Sequence, residues 1–218
     1  MTRTQMPTAS AQPVPGPSGR RNATPVPGLR ERKKLKTRQT IRREAYRLFA
    51  GQGYEATTVD RIAEAAEVSP STFFRYFPTK EDVVLIDEYA PVLAGALESR
   101  PADEPVVDAI RHAFTGSLAQ LLGADRQELL FRTRLAFATP AIRVRAADQQ
   151  LRSRDAVAAL IVERTGREPG DLEADCAAAA ITAVFSAVVR HWTESGGTGD
   201  LAELFDRQLS MLSAGLRI

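Results

Sequence analysis

From Leu29 onward the apolar residues return every three or four positions and nowhere alternate, a period that places them on one face of a helix and leaves no strand to build. Ile41, Ala45, Leu48 and Phe49 form the first such stripe, and Gly51 and Gly53 stop it. Thr58 stands as an N-cap before Val59, Ile62, Ala63 and Ala66, a second, short helix. After Glu67, Val68 and Ser69, Pro70 suits the first turn of a third helix, which ends near Phe77-Pro78. A fourth helix is expected over residues 80–97, with Val83, Ile86, Ala90 and Leu93 on one side. Further helices are expected over 104–122, 125–138, 141–165 and 171–194, and from Asp200 to the end, with Gly and Pro between them. The fold class is therefore all-α with about nine helices. A three-helix N-terminal unit containing a helix-turn-helix would precede a C-terminal helical domain.

Composition adds two constraints. Residues 1–28 hold six of the thirteen prolines with Ser, Thr and Gly, too little apolar surface to offset the entropy of ordering, so a disordered tail is expected there. The net charge of +2 conceals a segregation: residues 1–80 carry 15 Lys/Arg against 6 Asp/Glu, and residues 81–218 carry 14 against 21. A basic first third suggests a polyanionic partner. The expected division is 1–28 as tail, 29–80 as a basic helical unit with a basic arm, and 81–218 as an acidic helical domain. No run approaches the roughly 18 apolar residues of a membrane span, and the N-terminus has no apolar core of a secretory signal, so a cytoplasmic, nucleoid-associated protein with no membrane partner is expected.

The second and third helices, joined by a three-residue turn, make a helix-turn-helix. Val59, Ile62, Ala63, Val68, Phe73 and Phe77 would face Ala45, Leu48 and Phe49, while Ser69, Ser71, Thr72, Arg75 and Tyr76 form hydrogen bonds on the opposite side. That second side is what a recognition helix presents to the major groove. The basic arm of Arg30, Arg32, Lys33, Lys34, Lys36 and Arg38 would precede the first helix and track phosphates or enter the minor groove.

The segment TTVDRIAEAAEVSPSTFFRYFPTKEDVV resembles the DNA-binding domain of the tetracycline-repressor (TetR) family, whose usual pattern is TTxxxIAxxAGVSxGTLYxHFxxKxxLL. Thr58, Ile62-Ala63, Ala66, Val68-Ser69, Thr72, Phe77 and Lys80 fall in register without a gap, and the resemblance covers about residues 36–90. It implies a homodimeric regulator, commonly a repressor, that binds a pseudo-palindromic double-stranded operator and is released by a small-molecule effector. By the same resemblance, Thr58 would hold a phosphate while capping its helix and Lys80 would grip another. Ser71, Thr72 and Arg75 would reach base edges, Tyr76 a phosphate, and Ser69, Pro70 and Phe74 belong to the same DNA-facing set. Three positions depart from the pattern: Glu67 replaces the turn glycine, Phe74 replaces a tyrosine, and Pro70-Ser71 replaces a small residue followed by glycine.

Elsewhere the chain offers little chemistry. Two histidines and one cysteine do not make a metal cluster, no catalytic triad spacing is present, and neither metal nor cofactor is expected. Cys176 is expected to be a small core residue. Asp171, Glu173 and Asp175 would cap the eighth helix. An effector cavity of apolar character, among His112, Phe114, Leu118, Phe131, Leu135 and Trp192 with Arg132 or Arg134 as anchors, is expected between the central helices. The stripes Ile181, Val184, Val188 and Leu201, Leu204, Phe205, Leu209 are expected to pair with their mates in a dimer bundle. The alternative is a helical small-molecule enzyme, or an interaction module with a degenerate helix-turn-helix. The enzyme would be marked by a convergent titratable cluster on the C-terminal helices.

Overall fold

The computed structural model describes residues 28–85, 89–122 and 126–215, so the tail expected over 1–28 lies outside the described residues but for Gly28. Nine α-helices and one 3₁₀ turn, with no strand, make up the described residues: α1 Leu29–Gln52, α2 Val59–Ala65, α3 Pro70–Tyr76, the 3₁₀ turn Glu81–Val83, α4 Tyr89–Glu98, α5 Val106–Leu122, α6 Arg126–Ala138, α7 Pro140–Thr165, α8 Leu172–Glu194 and α9 Leu201–Ser213.

The basic arm does not precede the first helix; it forms its opening turns, because Leu29 to Ala50 contains neither Gly nor Pro and is rich in Arg, Lys, Gln and Leu, which lose little on becoming helical. Gly53, at φ 86°, ends α1 by donating its N–H to Phe49 O at 3.1 Å. Thr58 Oγ1 accepts from Arg61 N at the start of α2, and Ser69 Oγ accepts from Thr72 N at the start of α3, with Pro70 as the first helical residue. Each side-chain oxygen satisfies a backbone N–H that the helix itself leaves unpaired.

The single fourth helix expected over 80–97 is instead a 3₁₀ turn followed by α4, with residues 86–88 outside the described residues. Pro91 falls in the first turn of α4, where a missing N–H has no intrahelical partner to lose, whereas inside a continuous helix it would remove a hydrogen bond. Thr79 and Asp82 close the 3₁₀ turn reciprocally, Thr79 N and Oγ1 donating to Asp82 Oδ2 at 2.9 and 2.8 Å while Asp82 N donates to Thr79 Oγ1 at 3.3 Å.

Three apolar clusters follow from this arrangement. The first joins Ile41, Ala45 and Phe49 of α1 to Ile62, Phe73, Phe77 and Val83, and receives Ile142 from α7. The second gathers α4, α5, α7, α8 and α9 around Ala109, Ile110, Ile161 and Ala178; the third packs Leu130, Val188, Trp192, Leu201 and Phe205. Here the structure corrects the expected dimer seam. Ile181, Val188, Leu201, Phe205 and Leu209 are buried within the chain itself, and Val184 and Leu204 pack partly against the same clusters. The reason is that α8 lies on α7 and α9 lies on α5, so both stripes already have intramolecular partners. What α8 leaves outside includes Leu172, 75% exposed, with Cys176, Ala179, Ala183 and Ala187, and toward its end Arg190 and Glu194. Cys176 is thus exposed rather than a core residue, because it shares the outer face with these alanines. By length and composition α8 could cross a membrane, its most apolar 18-residue window having mean hydropathy 1.7, yet it also packs on α6, α7 and α9.

Candidate DNA-reading surface and effector cavity

Helix α3 turns Phe73, fully buried, toward α1 and α2, and turns Ser71, Phe74 and Arg75 outward at spacings of three and four. Phe74 is 52% exposed, a large apolar side chain on a surface otherwise made of hydroxyls and cations. Ser69 Oγ lies 2.9 Å from Ser71 Oγ and donates to Thr72 Oγ1 at 3.0 Å, so the three hydroxyls share one network at the head of the helix. Arg75 places its guanidinium carbon 5.4 Å from the Tyr76 ring centroid; Tyr76 is half-buried and packs partly against the first cluster. Lys33, Lys34 and Lys36 are exposed along the start of α1, and Arg38 lies over the Phe77 ring at 5.2 Å.

Lys80 is placed differently from its expected phosphate role. Its ammonium donates to Tyr54 O at 2.9 Å and Thr57 O at 3.1 Å and sits 4.0 Å from the Tyr54 ring centroid. A strongly hydrated point charge with three donors is suited to gathering carbonyls in this way, and here it ties the loop between α1 and α2 to the start of the 3₁₀ turn. The same loop is held by buried Thr57, whose Oγ1 donates to Gly53 O at 2.8 Å, and by Tyr54, whose hydroxyl donates to Glu81 Oε1 at 2.7 Å. Burial and the Glu81 partner push the Tyr54 hydroxyl well above its ordinary value, so it remains a donor.

Glu67 adopts φ 54°, the left-handed conformation, at the turn between α2 and α3. A glycine would accept that backbone freely; for Glu it carries a steric penalty. The turn geometry is otherwise intact, with Val68 N donating to Ala63 O at 2.9 Å.

The second feature is a cavity of about 720 Å³ enclosed mainly by α5 to α9. Leu129, Arg132, Thr133, Ala136 and Phe137 line it from α6, Gln149, Ser153, Val157 and Leu160 from α7, and Ile181, Phe185 and Val189 from α8. Phe114, Phe185 and Phe205 lie with ring centroids 4.8 to 5.1 Å apart at its wall. Of the residues expected here, Phe114 lines the cavity, while the side chain of Leu118 is outside the described residues. Phe131 and Leu135 lie on another face of α6 and pack on the first cluster, Phe131 edge-on to Tyr46 at 5.9 Å. Trp192, 2% exposed, belongs to the third cluster. His112 faces away, with Nδ1 2.6 Å from Glu104 Oε1 and Nε2 2.8 Å from Arg111. Of the two suggested anchors, Arg132 lines the cavity and Arg134 is exposed elsewhere. Gln149, Gln150 and Ser153 are wall residues that sequence reasoning missed; the signal was their recurrence at helical spacing on the same face as Val157 and Leu160.

Cavity and helix-turn-helix meet at the corner of α6 and α7. Arg132 Nε donates to Val84 O at 3.3 Å, Tyr46 donates its hydroxyl to Val83 O at 3.0 Å, and Arg145 donates from Nε to Asp82 Oδ1 at 3.0 Å. Ile142, at the start of α7, is fully buried in the N-terminal cluster. Burial of Asp82 alone would raise its carboxyl, but hydrogen bonds from Arg145 and Thr79 and the Arg145 charge outweigh it and hold the group below the ordinary carboxylate value.

A capped helix-turn-helix with a polar outer face, wedged against a hollow helical domain, defines a DNA-binding regulator of the kind that carries its own sensory part. Residues 41–85 match the model for bacterial regulatory proteins of the tetR family, and residues 104–217 match the MftR C-terminal domain. The HTH-type transcriptional regulator TcmR of Streptomyces glaucescens is 42% identical over 171 residues, spanning 75% of this chain and 74% of that protein. The putative mycofactocin biosynthesis transcriptional regulator MftR of Mycobacterium tuberculosis is 25% identical over 190 residues, 85% of this chain and 93% of its own. Among solved structures, FadR of Thermus thermophilus, a TetR-family transcriptional repressor in complex with lauroyl-CoA, superposes with a TM-score of 0.53 at 28% identity, covering 83% of this chain and 95% of that one. The chain belongs to the TetR family of bacterial transcriptional regulators.

Proposed function

We propose that the protein is a repressor that binds a pseudo-palindromic operator as a homodimer, in the cytoplasm, and leaves it when a small molecule of apolar character fills the cavity. The observation that carries this reading is the α6–α7 corner, where one pair of helices both lines the cavity and is buried in the N-terminal core. A ligand that shifts that corner has a rigid path to α3, and DNA affinity falls by linkage if the two recognition helices leave the spacing of about 34–36 Å between successive major-groove faces. The T. thermophilus FadR complex shows lauroyl-CoA bound to a relative of this fold. In this reading residues 29–80 form the DNA unit and 81–218 the sensing and dimerising unit, the α6–α7 corner bridging them. Ser71, Phe74 and Arg75 meet bases; Thr58, Tyr76 and the helical lysines Lys33, Lys34 and Lys36 meet phosphates. Dimerisation uses the outer face of α8, supported by the exposure of Leu172, Ala179, Ala183 and Ala187 along it.

Selection of bound duplexes from a random pool tests the reading. A two-fold-related consensus, with a complex of two chains by analytical ultracentrifugation, is the expected result; no preference among duplexes overturns it. Replacing Lys33, Lys34 and Lys36 together by Ala should flatten the slope of log K against log salt by about 0.9 for each phosphate the protein no longer neutralises.

A further inference from the structure

The charges of the cavity are unevenly placed. Among its described lining residues, Arg132, Arg190 and Glu163 are the ionisable ones. Arg132 is 9% exposed on α6. Arg190, on α8, lies over the ring of Phe137 with its guanidinium carbon 5.2 Å from the centroid, and Phe137 is one to two turns beyond Arg132 on the same helix. Both guanidinium groups therefore serve one end, the end where Arg132 reaches Val84 O beside the helix-turn-helix. Along α7 the lining runs from Ala146 to Glu163, roughly 25 Å at 1.5 Å per residue, so the carboxylate stands at the far end.

The neutral lining follows the same gradient. Gln149, Gln150 and Ser153 come first along α7, and Gln150 Nε2 donates to Ser186 Oγ at 2.8 Å, one turn of α8 from Arg190. Val157 and Leu160 come later. The interior is thus elongated, rich in donors and positive near the DNA-reading unit, and apolar beyond. A cation entering it meets two guanidinium groups, that of Arg132 in buried surroundings that screen charge poorly, whereas a carboxylate can accept charge-assisted bonds from either fork.

We propose that the effector is an elongated apolar acid, its single carboxylate or comparable anionic group taken up at the Arg132–Arg190 end and its body laid along Val157, Leu160 and Phe185. This rests on the reading of the cavity as the effector site. The anionic group competes with the partners Arg132 already holds, Val84 O among them, so the N-terminal core senses the acid while the hollow supplies affinity for the body.

The test is calorimetric titration of the full-length protein, without DNA, using dodecanoate and 9-anthracenecarboxylate, each against its methyl ester, and dodecylamine, all below the concentrations at which they aggregate. At least one acid is expected to bind more than about tenfold tighter than its ester. Arg132→Met and Arg190→Met should each abolish that preference, so that acid and ester bind within about twofold of each other. Which acid wins separates a flexible acyl body from a fused-ring body. Arg190 is exposed, so Arg190→Met decides the matter even if Arg132→Met does not fold. An ester or the amine binding as tightly as the acids, an acid preference that survives either substitution in a folded variant, or no binding of either acid overturns the proposal. Because no duplex is present, such a failure leaves the DNA-binding reading standing, and a failed duplex selection leaves this one standing.

Discussion

Around Phe73 the N-terminal helices close on themselves, with Ile41, Ala45, Ile62 and Val83 at zero exposure, while α5 to α9 surround about 720 Å³ of unfilled volume. Both regions are helical and both are rich in apolar residues, yet one buries its central side chains completely and the other surrounds a cavity. Close packing makes a recognition surface rigid, since interdigitated side chains transmit displacement rather than absorb it. A hollow forgoes dispersion attraction along its wall and regains it when something fills the space. The tight region reads, the loose region senses, and the α6–α7 corner belongs to both.

The largest expected effect tests that contrast in packing. Phe73→Ala should cost about 3–5 kcal/mol, the range for removing a large side chain from a filled core, and abolish DNA binding with it. Phe185→Ala, on the cavity wall, should cost less, about 1–2 kcal/mol, because the ring is only partly buried and borders the cavity. Urea unfolding of both variants measures the difference. Equal losses would mean that the cavity wall is as firmly packed as the N-terminal core.

Next comes the bridge. Asp82→Asn removes the charge that Arg145 grips and should lower stability by about 1–2 kcal/mol at neutral pH, kept modest because the pair is partly solvated. Since the folded carboxyl is held below its unfolded value of about 3.9, its contribution is complete above that pH and disappears as pH falls through the lower folded value. Unfolding curves of wild type and variant should therefore differ at pH 7 and draw together as the pH falls below about 3.9. The stronger reading is in the coupling: a variant whose DNA affinity is intact but whose response to effector is weakened places Asp82–Arg145 on the path, and an unchanged response removes it.

The two regions are also unequally legible in the sequence. The helix-turn-helix is local: caps at Thr58 and Ser69, Pro70 and the short stripes lie within about twenty residues, and each fixes its own neighbourhood. Register in the C-terminal half depends on which helix packs on which. The stripe through Ile181 and Phe205 is readable as buried, but nothing in it says whether the burial is against α7 and α5 or against a second chain. The aromatics Phe114, Phe131 and Trp192 look alike in sequence and go to three different places: cavity wall, N-terminal core and third cluster. The motif position of Lys80 carries no information about the carbonyls of Tyr54 and Thr57 waiting beside it.

Within the reading surface the expected effects are smaller and more specific. Arg75→Ala should lose about 1–3 kcal/mol of discrimination at one base position, if its guanidinium leaves the Tyr76 ring for a guanine edge. Binding to random duplex should change far less. Competition assays against single-base operator variants check this, and an equal loss on specific and random DNA would make Arg75 a phosphate contact instead.

The smallest effect is at Glu67, and its sign is the informative part. The left-handed backbone costs a residue bearing a Cβ about 1–2 kcal/mol, and glycine at that position costs about 0.5–1 kcal/mol in unfolded-state entropy. Glu67→Gly should therefore stabilise the protein by about 0.5–1 kcal/mol, a rise in Tm of about 1–4 °C for a chain of this size. The exposed Glu67 side chain has no packing to lose. If the strain is confined to the turn, the gain appears in stability with operator affinity unchanged, because Val68 N still bonds to Ala63 O and α3 keeps its angle. A gain in affinity along with stability would show that the free protein holds α3 less firmly than the packed core around Phe73 implies. The contrast between a rigid reader and a yielding sensor would then have to be redrawn at the turn.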